Sequence, residues 1–305
     1  MANTKSKKTT KKSTSKAKAV ATKSAKTAKA ETAKVVTTTT ASAIASKGGN
    51  PFKGFFKKKF DDDENILTIF KTPKIWGALA GELIGTMLLM ILMVTLGVYQ
   101  PLYILIGVIG ITMAVYALSG AHLNPAITVG MMASRRVSAI RGVLYIVAQI
   151  VGAWLGLMIM GAFRGLGENA VELPAITALE DATLWKNIFI EFLGTAVMGF
   201  FFCRAQSYKT AKGAFTYAAL VAGGLALAIL FSVVISSNYV GLNNNFALNP
   251  AVALMEQIFP TVSDNFGELM GEVAKAALTY ILVPMLGAVI GFTLADASKK
   301  LAGEE

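Results

Sequence analysis

The chain has 305 residues, 54% of them hydrophobic and only 15% charged, with a mean hydropathy of +0.57. A soluble globular domain carries about 25% charged residues, so this composition excludes an ordinary water-soluble fold and indicates a membrane protein. A single histidine, His122, and a single cysteine, Cys203, exclude an internal disulfide and leave no metal-ligand spacing. No metal, cofactor or His-based catalytic centre is expected.

Charge is segregated along the chain. Residues 1–59 hold sixteen Lys and one acid, Glu31, whereas the remainder holds thirteen basic and seventeen acidic groups. The net charge of +11 therefore belongs to the tail. Residues 1–60 are rich in Lys, Thr, Ser and Ala without apolar periodicity and are expected to be a disordered basic cytoplasmic tail. They have no continuous apolar core of the kind a cleaved leader carries. The tail reads either as a solvated extension or as a docking element for anionic lipid or nucleic acid. Phe52, Phe55, Phe56 and Phe60 interleave with Lys53 and Lys57 to Lys59, which suits an interfacial lipid contact. Residues 61–74 are a juxtamembrane segment.

Six apolar stretches follow, at about Ile75–Leu96, Leu102–Leu118, Ala139–Met160, Leu184–Phe202, Phe215–Ile235 and Leu269–Leu294. Crossing a hydrocarbon layer of about 30 Å takes about 20 helical residues, so these are predicted membrane spans of an all-α protein. The loops between them alternate in charge. Those holding Arg135, Arg136 and Arg141, then Arg204, Lys209 and Lys212, then Lys299 and Lys300 are basic. The intervening ones are neutral or acidic, with Glu168, Glu172, Glu180 and Asp181 in the largest. By the positive-inside rule both termini are cytoplasmic, with a membrane domain over 75–295 and a short C-terminus over 296–305.

The two halves echo each other. Gly81-Glu82-Leu83-Ile84-Gly85-Thr86 returns as Ile190-Glu191-Phe192-Leu193-Gly194-Thr195, and Tyr145–Ala153 returns as Tyr280–Ala288. Three spans per copy make the repeat inverted, an arrangement that places a site at the midplane between copies. There the sequence holds Asn124-Pro125-Ala126 and Asn249-Pro250-Ala251, each opening a short apolar stretch (Ile127–Ala133 and Val252–Phe259). Asn is a good N-cap and Pro is favoured at the first helical position. A helix of about ten residues rises about 15 Å, half the hydrocarbon thickness, and backbone that stops there must line a cavity or be buried in protein. Two half-helices entering from opposite faces would bring their positive ends and the two Asn amides to one point. Glu82 and Glu191 fall inside spans, where an ionisable group is functional by default; on residues alone, they and Glu256 could serve a proton- or ion-coupled transporter or a leaky ion channel.

The segments Ser119-Gly120-Ala121-His122-Leu123-Asn124-Pro125-Ala126-Ile127-Thr128 and Phe246-Ala247-Leu248-Asn249-Pro250-Ala251 resemble the paired signature loops of the aquaporin and glycerol-facilitator (major intrinsic protein) family. The resemblance covers about Ile75 to Ala295 and leaves out the tail. It implies six spans and two re-entrant half-helices around one pore per subunit, with the subunits in a homotetramer. It implies that Glu82 and Glu191 accept hydrogen bonds from the signature loops, and His122 is expected to help shape the first loop. Family filter positions fall on Ile104 (or about Gly107), Ser237, Phe246 and Val252. Where the family usually has Arg after the second Asn-Pro-Ala, often followed by Asp, this chain has Val252 and Ala253. The implied aperture is wide and uncharged, suited to small neutral solutes such as glycerol, with water passing as well; a water-selective channel is the alternative. Asn243, Asn244 and Asn245 either extend the polar lining or are solvated loop residues. An enzyme is not expected, for no nucleophile–base pair, phosphate loop or metal cluster occurs, and a membrane anchor for an active tail is the third reading.

Overall fold

The computed structural model describes residues 69–96, 100–164, 181–237, 246–256 and 266–304. The basic tail, Asn243 to Asn245 and most of the acidic loop lie outside them. The regular structure among the described residues is helical: α1 (Pro73–Leu96), α2 (Pro101–Ser119), α3 (Pro125–Ala133), α4 (Ala139–Arg164), α5 (Asp181–Ala205), α6 (Ala214–Ile235), α7 (Pro250–Glu256), α8 (Phe266–Ala277) and α9 (Val283–Ala302), the last two joined through one π-helical turn, Leu278–Leu282. Proline begins α2, α3 and α7, where its missing N–H removes no helical bond. Six helical stretches are long and apolar enough to cross a membrane, with mean hydropathies from 1.6 to 2.6. Leu102, Ile106, Trp154, Phe189 and Leu286 are all exposed on them. In water such a surface would drive aggregation; facing hydrocarbon, it is the solvated one. The chain is an all-α, multi-pass integral membrane protein.

The repeat read from sequence is a repeat of packing. Helix α1 lies on α4, and α5 lies on α9. In the first pair, a Cβ on Gly156 would come 2.6 Å from the Met87 carbonyl oxygen, and one on Gly152 would strike the Leu83 carbonyl. In the second, Gly287 and Gly291 make the same approach to the carbonyls of Phe192 and Ala196. Within a membrane, where lipid is as apolar as leucine, such close backbone contact through small residues is what joins helices.

Helix α9 runs past Ala295, where the membrane domain was expected to end. The extra turns hold because their charges are paired inside the bundle. Asp296 takes a bidentate pair from Arg136 at 2.6 and 3.0 Å and a hydrogen bond from Cys203 Sγ at 3.3 Å. Lys299 Nζ donates to the Cys203 carbonyl at 3.0 Å. The chain just beyond α3 is thereby tied to α5 and α9, and Gly130 of α3 seats directly on the Phe292 ring. Arg204 pairs with Glu304 at 2.8 Å, outside the bundle.

Candidate functional site

Helices α3 and α7 begin beside each other, with Asn124 and Asn249 both buried. Each is capped by its own Asn: Asn124 Oδ1 accepts from the Ala126 N–H at 2.8 Å, and Asn249 Oδ1 accepts from the Ala251 N–H at 3.0 Å. That bond fixes each amide so that its NH2 points away from its own helix. One N–H of each then crosses to the opposite loop. Asn124 Nδ2 donates to the Leu248 carbonyl at 2.9 Å, and Asn249 Nδ2 donates to the Leu123 carbonyl at 3.0 Å. An amide nitrogen carries two hydrogens, so each Asn retains a second donor, and both residues line a common cavity.

The carbonyls reach across because the backbone is forced. Leu123 and Leu248, each directly before its Asn, have φ of 51° and 55°. A non-glycine residue in the left-handed region costs about 1 kcal/mol or more and persists only where its surroundings hold it. The buried carboxylates do the holding. Glu82 Oε1 accepts from the His122 N–H at 3.0 Å and its Oε2 from the Leu123 N–H at 2.8 Å. Glu191 Oε1 accepts from the Ala247 N–H at 2.6 Å, and its Oε2 from the Leu248 N–H at 3.1 Å. Both carboxylates are completely buried, and these backbone bonds are what makes burial of such a group tolerable.

The two loops are not supported alike. Around the first, Gln149 Nε2 donates to Glu82 at 2.7 Å and to Thr128 Oγ1 at 2.9 Å, while His122 Nδ1 lies 3.2 Å from the same hydroxyl. Tyr145 donates to the Ser119 carbonyl and Tyr217 to the Gly120 carbonyl, at 3.2 and 2.6 Å. His122 also packs edge-on to Tyr145 and Phe202. At the corresponding positions of the second loop stand Pro284, Ala253 and Ala247 in place of Gln149, Thr128 and His122. The Gln149–Thr128–His122 cluster therefore has no counterpart at those three positions of the second half. Gln149 stands inside the repeated Tyr145–Ala153 segment, where a lone amide in an apolar span could have marked it; Tyr217 carries no comparable signal, since aromatic residues are common in spans.

The cavity wall includes Leu89, Met93, Val108, Met198, Leu225 and Val252, interrupted by Thr112, His122 and the Asn pair. Of the four expected filter positions, Val252 is on this wall. Ile104 is fully buried and Phe246 is buried in the core with Leu248; neither lines the cavity, and Ser237 is exposed beyond the end of α6. Helix α2 instead presents Val108 and Thr112, one and two turns on from Ile104. Glu256 is partly buried at the end of α7 and is not on the wall. Among the described residues no group of acidic, His and Cys side chains could hold a metal ion.

Residues 69–296 match the family model described as Major intrinsic protein. The chain belongs to the major intrinsic protein family. Among curated relatives, aquaporin-4 of Mus musculus is 30% identical over 255 residues, spanning 76% of this chain and 71% of the relative. Aquaporin-4 of Homo sapiens is 30% identical over 221 residues, 63% of this chain and 64% of its own length. Among solved structures, the aquaglyceroporin from Plasmodium falciparum aligns over 75% of this chain and 97% of its own, with 21% identity and a TM-score of 0.47. As a major intrinsic protein the chain is a membrane channel for water or small solutes, and not an enzyme.

Proposed function

We propose that this major intrinsic protein is a passive conduit for small neutral polyol-like solutes, with water passing as well and with protons and ions held back. The observation that carries the reading is the Asn pair: two amides, each with an N–H to spare, beside a cavity whose wall is otherwise mostly apolar and uncharged. Donors at that point can orient a passing hydroxyl, and the positive ends of α3 and α7 oppose cations there. Val252, standing where an Arg would narrow and charge the aperture, supports passage of solutes larger than water. The identity to aquaporin-4 favours water as the principal permeant in a second reading.

On the same reading, α3 and α7 are re-entrant half-helices entering from opposite faces, the domain spans 75–295, and four copies assemble with one pore each. The termini are cytoplasmic in the plasma membrane, and residues 1–60 meet anionic lipid. The deciding experiment is stopped-flow light scattering on proteoliposomes. Vesicles in a glycerol gradient should shrink and then reswell faster than protein-free controls. Water flux without glycerol flux would reject the polyol assignment, and ionic current would reject the exclusion of ions.

A further inference from the structure

The charges near the cavity lie off its wall. None of the residues that line it is Lys, Arg, Asp or Glu. Directly behind the two signature loops, however, stand the buried carboxylates of Glu82 and Glu191. A buried negative charge draws cations toward the loop it supports, and Val252 on the wall brings nothing to oppose it.

A positive charge reaches the first loop from another part of the chain. Lys209 stands in the turn between α5 and α6 and is an exposed residue, yet its ammonium is turned inward. A Cβ built on Gly120 would lie 2.7 Å from Lys209 Nζ and 3.7 Å from His122 Cδ2. The ammonium is therefore no more than about 6.4 Å, the sum of those two distances, from a ring that lines the cavity. Gly120 has φ of 95°, a conformation that suits glycine, and the space left by its missing side chain is where the ammonium rests. Gln206 Nε2 donates to the Tyr217 hydroxyl at 3.2 Å, which in turn donates to the Gly120 carbonyl at 2.6 Å. Through Tyr217 the turn and the loop are tied together. Burial holds the Lys209 pKa below its ordinary value of 10.5; Glu82 opposes that shift and Arg141 adds to it. No carboxylate among the described residues forms an ion pair with Lys209, so its charge is not cancelled in place.

We propose that Lys209 is a cation barrier of the conduit: its ammonium, seated against Gly120 beside the His122 ring, supplies the positive charge that the wall lacks and turns back cations while neutral solutes pass. The barrier rests on the conduit reading given above and assigns part of its ion exclusion to a residue outside the cavity wall. Water or a polyol carries no net charge for the ammonium to act on. A cation arriving at the His122 ring meets a like charge about 6 Å away, and screening between that of water and that of a protein surface makes this repulsion slow it about three- to a hundredfold. The positive ends of α3 and α7 add to the effect.

The test uses full-length protein in proteoliposomes with potassium, chloride, glycerol and water as probes, comparing wild type with Lys209→Met, Lys209→Arg and Lys209→Glu. Methionine keeps an unbranched chain without the charge, arginine keeps the charge, and glutamate reverses it. Potassium flux should rise about three- to a hundredfold in Lys209→Met and further in Lys209→Glu. Chloride flux should not rise in either, glycerol and water flux should stay close to wild type, and Lys209→Arg should behave as wild type. Retained glycerol flux also shows that each variant has folded. Unchanged potassium flux in both Lys209→Met and Lys209→Glu overturns the barrier and leaves the conduit standing. An equal rise of potassium, chloride and glycerol flux, as a merely widened opening would give, does the same, as does a potassium leak in Lys209→Arg as large as that in Lys209→Met. A wild-type protein that passes neither glycerol nor water overturns the conduit and the barrier together.

Discussion

Replacing Glu82 or Glu191 by Gln removes one charge and one acceptor oxygen from each signature loop, yet the consequences should differ. Glu82 uses both oxygens, Oε1 for the His122 N–H and Oε2 for the Leu123 N–H and the Gln149 amide. In either orientation of the introduced amide, its NH2 faces at least one backbone N–H. An orphaned buried donor costs about 1 to 3 kcal/mol, and turning the surviving charge-assisted bonds into neutral ones adds about 1 kcal/mol. Glu191 is more forgiving. Its Oε1 already lies 2.6 Å from the Ala247 nitrogen and 3.3 Å from that of Leu248, so a single carbonyl oxygen serves both. Glu191→Gln should lose only about 1 kcal/mol. For a domain of this size about 1 kcal/mol moves the melting temperature by about 2–4 °C. Thermal unfolding of purified protein should therefore show Glu82→Gln lowered by about 4–16 °C and Glu191→Gln by about 2–4 °C. Equal losses, or a larger one for Glu191→Gln, would refute the assignment of separate acceptor oxygens to the first loop.

Three further outcomes follow from the geometry. Val252→Arg should lower glycerol flux more than water flux in the proteoliposome assay, because the added guanidinium narrows and charges the wall on which Val252 sits; equal loss of both would remove Val252 from the selective position. Gly291→Val should lower the melting temperature by an amount equivalent to about 3 kcal/mol or more, since its Cβ would run into the Ala196 carbonyl, whereas Gly223→Ala, with open space at that site, should shift it little. The Arg204 hydrogen bond holds the Glu304 carboxyl below its ordinary value of 4.5. Because the folded-state value is the lower one, the pair's contribution is present above pH 4.5 and is lost as pH falls through that lower value. Amide-exchange protection at the end of α9, taken relative to the intrinsic rate at each pH, should fall over that acid range, and at neutral pH in high salt.

The six spans were legible because hydrocarbon demands long apolar runs, and their observed ends at Leu96, Ser119 and Ile235 fall within about one residue of those read from hydropathy. The paired Asn-Pro-Ala segments were legible as helix starts, since cap and proline act locally. The reach of α9 to Ala302 was not, because Asp296 and Lys299 look solvent-bound until the partners Arg136 and Cys203, from remote parts of the chain, are placed beside them. Ile104 illustrates the same limit: Val108 and Thr112 lie on the same face of α2, one and two turns further along, and which turn of that face meets a cavity is set by remote parts of the chain.

The exchange of hydrogen bonds between Asn124 and Leu248 and between Asn249 and Leu123 bears on how work is divided between protein and gradient. A carrier that alternately exposes a site must let its halves rock about the midline. In this molecule the midline is stitched twice, reciprocally, by amides whose other ends cap the short helices. Any rocking large enough to part the two loops would tear both stitches together. Such a scaffold is suited to standing still, leaving speed and direction to concentration differences alone.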